Sequence, residues 1–322
     1  MTTPHLYIAR TLTDVAMASL ADVGLPVVTG DEAPPERDRL LHDVAGAAAA
    51  VVTLTERVDA EFFDAAGPQL RVVANVAVGY DNIDVAEAAR RGVVVTNTPG
   101  VLDDATADHT FAMILAVTRR VVEADRFVRS GEPWIWGPRM LVGLDLSAGA
   151  TLGIVGLGRI GRAVARRAQA FSMTVLAHDP HYAPGDKVDG VTIASLDDLL
   201  ATSDVVSLHV PLMEATRHLI DEAALARMKP TAYLINAARG GIVDESALIP
   251  ALRDGRLGGA ALDTFEGEPK VNPELATLEN VVLQPHIASA GGRTRDRMCL
   301  LALDNVRDVL TGREARTAVI PR

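Results

Sequence analysis

The chain has 322 residues, of which 48% are hydrophobic and 23% are charged. A chain of this length usually folds as two domains, and the composition is typical of a globular protein and argues against a disordered one. The formal net charge is −11 and the sequence has no block of Lys or Arg, so neither a nucleic acid nor a membrane is expected as a partner.

The first residues, MTTPHLYIAR, do not contain a basic segment followed by an apolar one. No uninterrupted apolar stretch approaches the roughly 20 residues that span a bilayer, so we expect a cytoplasmic protein. The single cysteine, Cys299, lies in an amphipathic helical pattern without an obvious basic neighbour, which favours a structural role over a reactive one.

Short apolar runs alternate with helical patterns along almost the whole chain, as in strand–helix–strand units. Before Pro99 the predicted strands are LYIA, AAVVTL, LRVVANV and VVVTN. From Thr151 the alternation restarts with TLGIVG, MTVLAH, VTIAS, VVSLHV, AYLINA, AALDTF and VVLQPH. The sequence therefore predicts an α/β protein with two doubly wound parallel sheets, one in each of two domains.

Two long helical patterns complete this prediction. Residues 104–131 are expected to form one helix between the domains, with an apolar middle that includes Ile114, Leu115, Val117 and Val121. A helix that is apolar on most faces needs cover on several sides, so it is also a candidate subunit contact. The last pattern, TRDRMCLLALDNVRDVLTG, is expected to return to the first domain, because the second already has its strands.

A glycine-rich turn follows the first strand of the second domain, with GxGxxG at Gly156, Gly158 and Gly161. The motif is weak alone, but here it lies between a predicted strand and a predicted helix, as in a dinucleotide-binding turn. The first glycine allows the tight turn, the second lets the backbone approach a pyrophosphate, and the third allows close helix packing. The helix N-terminus adds amides and the positive end of a dipole. We therefore predict a dinucleotide site.

An acid, Asp179, follows Gly161 by 18 residues, at the end of the next apolar run, where it would bind ribose hydroxyls. It would repel the 2′-phosphate of NADP, and the next residues, Pro180, His181 and Tyr182, bring no arginine to accept one. NAD(H) is the favoured cofactor and NADP(H) the alternative. No metal is expected.

Hydride transfer needs a proton donor, and the residues suited to it are a histidine near a carboxylate, with an arginine to hold an anionic substrate. His286 follows the last predicted strand of the second domain, at the edge where open α/β sheets place their ligands. Arg239 and Glu268 follow two other strands and are expected to face the same crevice, although alone they also fit a plain salt bridge between strand ends. Surface, strand-end or packed positions are expected for His5, His42, His109, His178 and His218.

The chain resembles the D-isomer-specific 2-hydroxyacid dehydrogenases almost from end to end, and most closely their glyoxylate and hydroxypyruvate reductase branch. The stretches that carry the resemblance include NTPGVLDDATADHTFAMIL, TLGIVGLGRIGRAVA, INAARGGIVDESAL, ALDTFEGEP and LENVVLQPHIASA. The separations of 29 residues from Arg239 to Glu268 and of 18 from Glu268 to His286 are also those of the family.

This resemblance implies a domain plan and a role for each of the three residues. A Rossmann-type cofactor domain, residues 101–287, would be inserted in a flavodoxin-like substrate domain, residues 1–100 plus 288–322, with a cleft between them. Arg239 would hold the substrate carboxylate with its planar fork and polarise the keto oxygen. His286 would give its proton to the carbonyl oxygen, and Glu268 would orient the imidazole and favour its protonated form.

The same resemblance implies further contacts. Backbone amides around Val78 and Gly79 would help to bind the substrate, Asp263 would reach the nicotinamide amide, and Arg159 and Ile160 would meet the pyrophosphate. The other cofactor-binding assignments are Thr106, Gly156, Gly158, Gly161, Asp179, His209, Pro211, Thr216, Ala237 and His286.

A homodimer is implied as well. Trp134 and Trp136 would lie near the partner subunit's substrate pocket or pack in a core. Hinges for domain closure are expected near Pro99–Leu102 and Pro285–Gly291. Several reductases of this branch that take NADPH carry basic residues after the second strand, whereas HDPHYAPG does not.

Three other functions stay open. A D-3-phosphoglycerate dehydrogenase needs extra cations for the substrate phosphate, and the first domain is poor in them, with Arg10 and Arg57 as candidates. Formate or phosphite oxidation on the same scaffold would not need the AVGYD and tryptophan pattern. A non-catalytic NADH-sensing protein could keep the triad, and turnover with small keto acids would distinguish it. No residue identifies the physiological substrate.

Overall fold

A computed structural model describes residues 3–320, without the side chain of Asp22; Met1, Thr2, Pro321 and Arg322 lie outside the described residues. It is an α/β structure of two compact units, so the predicted fold class is confirmed. One unit contains the chain up to Leu102 and from Ala290 onward, and the other contains Asp103–Ser289. The sequence placed the two boundaries after residues 100 and 287, and in the structure each lies two residues later.

The elements are numbered along the chain. Within residues 3–320 the strands are β1 (His5–Ile8), β2 (Val27–Thr29), β3 (Ala47–Val52), β4 (Val72–Asn75), β5 (Val94–Thr96), β6 (Thr151–Val155), β7 (Thr174–His178), β8 (Lys187–Val188), β9 (Val191–Ile193), β10 (Val205–Leu208), β11 (Tyr233–Asn236), β12 (Gly259–Leu262) and β13 (Val281–Leu283). The α-helices of the same range are α1 (Asp14–Ala18), α2 (Arg37–Val44), α3 (Ala60–Ala66), α4 (Val85–Arg90), α5 (Asp103–Thr118), α6 (Val121–Arg129), α7 (Arg159–Ala170), α8 (Leu196–Thr202), α9 (Glu222–Arg227), α10 (Glu245–Arg253), α11 (Pro273–Ala276) and α12 (Gly292–Leu310).

The described part of the first unit forms a parallel sheet in the order β2-β1-β3-β4-β5. Its central strand β3, AAAAVV, is buried along its whole length, as expected for a strand covered on both faces. Helix α12 packs against β3 and β4, which agrees with the predicted return of the last helix to this sheet. The edge strand β2 was not predicted, because its three residues stand between Pro26 and Gly30 and do not belong to a longer apolar run.

The described part of the second unit forms a sheet in the order β13-β12-β11-β10-β6-β7-β9-β8. All neighbouring strands are parallel except the short β8, which runs antiparallel to β9 and was also not predicted. From β6 the chain builds outward first through β7 and then, on the other side, through β10. The carboxyl ends of β6 and β10 therefore mark the switch point where such sheets bind ligands.

The single helix predicted over residues 104–131 is wrong. The chain forms α5 and α6, separated by Arg119 and Arg120. Arg120 has a left-handed backbone (φ 53°), and the Thr118 carbonyl accepts a hydrogen bond from Leu144 (N···O 2.9 Å) outside the helix. Val121 is therefore 53% exposed, away from the buried apolar residues of α5. The prediction failed because the apolar pattern of the sequence continues across residues 118–120, where the backbone leaves the helical conformation.

Cys299 is buried in α12 of the first unit, and burial raises the pKa of its thiol. A thiol kept from ionising is unreactive, which supports the structural role predicted for it. No helix within residues 3–320 combines the length and the apolar character needed to cross a membrane. The same residues bring together no group of three His, Cys, Asp or Glu side chains that could hold a metal ion.

Candidate active site

The glycine turn lies at the carboxyl end of β6, at the switch point of the second sheet. Gly156 has a left-handed backbone (φ 96°), and a Cβ there would lie 2.7 Å from the carbonyl oxygen of His209. A Cβ on Gly161 would lie 2.2 Å from the carbonyl oxygen of Gly156. Both positions therefore require glycine for packing of the turn itself, as the sequence predicted.

Gly158 has a different role, because a Cβ there would meet no atom of the described residues within 4 Å. It is the N-cap of α7, a helix of twelve residues, and it offers no side chain to bond the first amides. Arg159 is exposed and Ile160 is half-buried at the start of this helix. Uncapped amides in front of open space are what a pyrophosphate needs, so the turn fits the dinucleotide that the motif predicts.

Asp179 follows β7 and is held by main-chain amides. Its Oδ2 accepts a hydrogen bond from the Leu157 amide of the glycine turn (2.9 Å), and its Oδ1 accepts one from the His181 amide (3.0 Å). The imidazole Nδ1 of His181 lies 2.8 Å from the same Oδ1. Burial opposes ionisation, but these bonds to His181 and Leu157 keep the pKa of Asp179 below its ordinary value. A fixed carboxylate thus stands beside the turn.

Four further residues assigned to the cofactor lie on this unit. His209 follows β10, bonds Ser207 Oγ through Nε2 (2.8 Å), and has its pKa lowered to about 4 by burial, so it is neutral near pH 7. The hydroxyl of Thr216 donates to the carbonyl of Pro211 (2.6 Å) within one short turn. Ala237 is half-buried after β11.

Thr106 lies in α5 and is 4% exposed; its carbonyl accepts a hydrogen bond from the hydroxyl of Thr110 (2.8 Å). Thr106 thus lies in a helix that precedes the sheet, whereas the four residues above follow strand β10 or β11 along the chain. Its assignment to the cofactor stays a prediction.

Arg239 follows β11 and immediately precedes a short 3-10 turn, Gly240–Ile242. The side chain is half-buried, and its Nη1 donates to the carbonyl of Ala238 (2.8 Å). The next residue must be glycine, because a Cβ on Gly240 would lie 1.9 Å from the backbone carbon of Phe265. The segment that carries Arg239 is therefore packed directly against the loop after β12.

His286 and Glu268 form the hydrogen-bonded pair that the motif predicted. Nδ1 of His286 lies 2.8 Å from Oε2 of Glu268, and the other carboxylate oxygen accepts a hydrogen bond from the Phe265 amide (2.8 Å). Both side chains are partly exposed, at 22% and 27%. His286 has a left-handed backbone (φ 55°), a conformation that non-glycine residues adopt rarely and often at functional sites. Its Nε2 is the ring nitrogen left to face a substrate.

Asp263 has an unexpected role at this edge. It is fully buried at the end of β12, and its two carboxylate oxygens accept the amides of Ile287 and Ala288, each at 2.8 Å. Its own carbonyl accepts the amide of His286 (2.8 Å). His109 Nε2 lies 3.7 Å from Oδ1, within ion-pair distance. Asp263 therefore holds the loop that presents His286, whereas the sequence suggested a contact with the nicotinamide, which stays a prediction.

Arg239, Glu268 and His286 thus follow three adjacent strands, β11, β12 and β13, within one unit. The arrangement brings a proton donor oriented by a carboxylate to the same sheet edge as an arginine. Such a set can protonate a carbonyl oxygen next to a bound carboxylate.

Val78 and Gly79 belong to the other unit. They lie in the turn after β4, where the carbonyl of Val78 accepts a hydrogen bond from Asn97 Nδ2 and that of Gly79 accepts one from Asn75 Nδ2, each at 2.8 Å. These bonds fix the turn, and its main-chain amides are the backbone groups that can donate to an anion. Their assignment to the substrate stays a prediction.

Comparisons with known proteins identify the family of this chain. A model of the NAD-binding domain of D-isomer specific 2-hydroxyacid dehydrogenases matches residues 111–288. A glyoxylate reductase of Korarchaeum cryptofilum is 49% identical over 308 residues, which cover 94% of this chain and 92% of that protein. The chain belongs to the D-isomer specific 2-hydroxyacid dehydrogenase family. The membership predicted from the motifs is confirmed, and this dehydrogenase is an NAD(P)-dependent oxidoreductase.

Solved structures extend the likeness to the backbone. The TT0316 protein of Thermus thermophilus has a TM-score of 0.92 and 44% identity to this dehydrogenase, with 98% of this chain and 100% of that chain covered. The NADPH-dependent glyoxylate/hydroxypyruvate reductase of Sinorhizobium meliloti, in complex with NADP and malonate, has a TM-score of 0.84 and 33% identity, with 99% and 97% covered. Since a relative takes NADPH, membership alone does not decide between the two cofactors.

Sequence reasoning missed three residues at the active edge of this dehydrogenase. Glu245 begins α10, Glu266 precedes Glu268 by two residues, and His218, expected at the surface or a strand end, is hydrogen-bonded to Glu266. The one sequence signal for them was Glu266, the acid beside Glu268 in FEGEP, and its role could not be inferred without knowing which residues it bonds.

Proposed function

We propose that this chain reduces glyoxylate or hydroxypyruvate to the corresponding 2-hydroxy acid with NADH, and catalyses the reverse oxidation. The observation that carries the proposal is the 2.8 Å pair of His286 and Glu268 at the same sheet edge as Arg239. The glyoxylate reductases at 46–49% identity support the substrate class.

In this proposal His286 transfers a proton at Nε2. Its Nδ1 is engaged by Glu268, so Nε2 donates to the carbonyl oxygen during reduction and accepts the hydroxyl proton during oxidation. The Glu268 carboxylate keeps the ring in one orientation and offsets the positive charge of its protonated form. The nicotinamide, when bound, supplies the hydride.

Arg239 is proposed to bind the substrate carboxylate. A guanidinium presents donors in a fixed plane, so it can pair both carboxylate oxygens and place the adjacent carbonyl toward Nε2 of His286. Arg239→Lys keeps the charge but loses the fork. It is expected to raise KM for the keto acid and lower kcat together, while the affinity for NADH stays unchanged.

NADH is proposed as the preferred cofactor because of Asp179. Its carboxylate is fixed by two amides and has a lowered pKa, so it carries a negative charge near the glycine turn at neutral pH. A 2′-phosphate placed beside it would be repelled. We propose the other predicted cofactor residues as lining contacts, with Gly158 and Arg159 at the pyrophosphate.

The decisive experiment follows NADH and NADPH oxidation at steady state with glyoxylate, hydroxypyruvate, pyruvate and a longer 2-keto acid. We expect NADH oxidation with one of the first two to be fastest, and His286→Ala to abolish most of it. If NADH binds by fluorescence titration but no keto acid turns over, the reductase proposal is wrong and an NADH-sensing role replaces it.

We also propose a homodimer. Large apolar side chains are exposed along one stretch of the second unit, with Trp134 at 55%, Ile135 at 93% and Trp136 at 74% exposure, and Val128 and Val142 on either side. Contiguous exposed apolar residues typically mark a protein interface. A second copy of the chain is the occupant that the family resemblance implies.

Ile135→Asp tests the dimer, because a charge at the most exposed of these positions would be buried in an interface. Sedimentation should show a dimer for the natural chain and a monomer for this variant. The matched control is Val15→Asp, at an exposed valine of the first unit, which should stay dimeric. A natural chain that sediments as a monomer would contradict the proposal.

A further inference from the structure

Two segments at the active edge are joined by contacts that do not involve the three residues of the proposed mechanism. The Arg239 segment comprises residues 239–243, and the Glu268 segment comprises residues 265–268. Their backbones touch at Gly240, where a Cβ would lie 1.9 Å from the carbonyl carbon of Phe265 and 2.4 Å from the amide nitrogen of Glu266. Any change in this contact would change the spacing between Arg239 and Glu268.

Glu245 and Glu266 bond each other's backbone across this junction. The amide of Glu266 donates to Oε1 of Glu245 (2.9 Å), and the amide of Glu245 donates to Oε2 of Glu266 (3.3 Å). Glu245 is the first residue of α10, and only the N-cap residue Asp244 separates it from the Arg239 segment. Its amide is one of the donors at a helix start that lack a partner within the helix. The reciprocal bonds thus tie α10 and the Arg239 segment to the Glu268 segment.

The arrangement is costly for Glu245, which is 8% exposed. Burial and the charges of Glu266 and Glu268 raise the pKa of its carboxyl group. His218 joins this cluster through a hydrogen bond, since its Nε2 lies 2.6 Å from Oε1 of Glu266. A buried acid close to two others serves no evident purpose in packing, where an apolar residue would suffice.

We propose that Glu245 and Glu266 are positioning residues that fix the Glu268 carboxylate, and through it the imidazole of His286, relative to Arg239. This inference rests on the proposed function of His286 and Glu268. The link to the reacting group is short. The Phe265 amide, one residue from the reciprocal bonds, donates to Glu268 Oε1, and the other oxygen of that carboxylate holds His286.

Alanine variants at the two positions test the inference. Glu245→Ala and Glu266→Ala each remove one of the reciprocal acceptors, and a displacement of about 1 Å at the reacting atoms lowers rates by up to about 100-fold. We expect kcat to fall between about 10- and 100-fold. The dissociation constant of NADH, which binds at the glycine turn, should stay within twofold.

Asp204→Ala is the matched control. Like Glu266, Asp204 is a partly exposed carboxylate that accepts a backbone amide, that of Thr151 (2.8 Å), and pairs with a basic side chain, Lys229 (2.7 Å). These contacts lie at the amino ends of the strands, opposite the proposed site. A similar loss of Tm with an unchanged kcat is expected there.

Conservative variants separate positioning from general stability. Glu245→Gln and Glu266→Gln keep one carbonyl oxygen as an acceptor for the partner's amide and should restore most of kcat. If the alanine variants fold with the natural Tm and keep natural kcat, or if the control loses as much kcat as they do, the inference is wrong.

Hydrogen exchange separates this inference from the proposed function. In both alanine variants the amides of Phe265 and of residue 266 should exchange faster, because the Glu268 segment is loosened, whereas the control should leave them protected. This result can be read even if no keto acid is turned over. Unchanged protection of both amides would overturn the inference while leaving the reductase proposal untouched.

Discussion

At the amino edge of the second unit's sheet, Asp204 accepts the amide of Thr151 and pairs with Lys229. At the carboxyl edge, Asp263 accepts the amides of Ile287 and Ala288. Both carboxylates bond backbone amides at 2.8 Å. The first ties strands together, while the second holds the loop that contains His286, a residue with a left-handed backbone.

The same carboxylate–amide bond therefore has different consequences at the two ends of the sheet. Its consequence depends on what the bonded loop presents, and in a parallel sheet only the carboxyl ends present loops to a ligand. Equal losses of stability at the two edges should therefore have unequal effects on turnover. The variants below test this difference.

The largest effect is expected from His286→Ala, which removes the proposed proton donor of the carboxyl edge. Turnover should fall roughly 10²- to 10⁴-fold, the usual contribution of one general acid, without loss of NADH binding. Steady-state kinetics and a fluorescence titration measure the two quantities. His42→Ala, at an exposed histidine of the first unit, is the control. Natural turnover in the variant would remove His286 from the mechanism.

Asp263→Asn and Asp204→Asn compare the two edges directly. An amide at position 263 would set an NH₂ group against a main-chain N–H, so the loop of His286 should shift and kcat should fall about 10- to 100-fold. The same change at position 204 should lower Tm but leave kcat within twofold. An equal fall of kcat in both variants would mean that turnover follows stability alone, and would end the distinction between the edges.

Asp179→Asn tests charge at the carboxyl edge. Because hydrogen bonds keep the pKa of Asp179 below its ordinary value, the acid stays ionised from alkaline pH down to about pH 5, and a preference for NADH should persist over that range. The variant should reduce the preference about tenfold, measured as the ratio of kcat/KM for NADH and NADPH. Asp186→Asn, at a carboxylate that bonds the Ala183 amide in the same loop, should not change the ratio.

The smallest effect is expected from a substitution of His209, and it concerns the dependence of stability on pH. The pKa of His209 is lowered to about 4 by burial, against about 6.5 in an unfolded chain, so between these values the unfolded state binds the extra proton. Stability therefore falls as the pH drops from 6.5 toward 4. His209→Gln should reduce the fall in Tm between pH 7 and pH 5 by roughly 5 °C, while His42→Gln should not. An unchanged fall in the His209 variant would contradict a neutral buried histidine.

Much of the fold was predictable, because apolar runs of four or more residues mark the long strands, such as β3 and β6. The short strands β2 and β8 were not, since their two or three residues do not belong to a longer apolar run. The break before α6 was missed for another reason. Arg120 bonds Glu123 through its guanidinium and adopts a left-handed backbone, and neither feature has a sequence signal in a run of helix-forming residues.

The candidate site divides in the same way. Gly156, Arg239 and His286 could be singled out from the sequence by their motif or their position after a strand, while the roles of Arg239 and His286 came from the family resemblance and stay predictions. Residues that act by holding a loop could not be singled out. The backbone bonds of Asp263 and Glu245 are long-range, and a carboxylate that will accept an amide looks in sequence like any other acid.

The first unit is built from two chain segments that lie on either side of the second unit in the sequence, and this affects the order in which the units can fold during synthesis. Strands β1–β5 are synthesised before the second unit, but α12, which packs on β3 and β4 and buries Met298 and Leu303, is synthesised after it. The second unit has all its residues once Ser289 has been made. The first unit is thus completed only after the second, and until α12 is made the surface of β3 and β4 that it covers stays exposed, which favours aggregation.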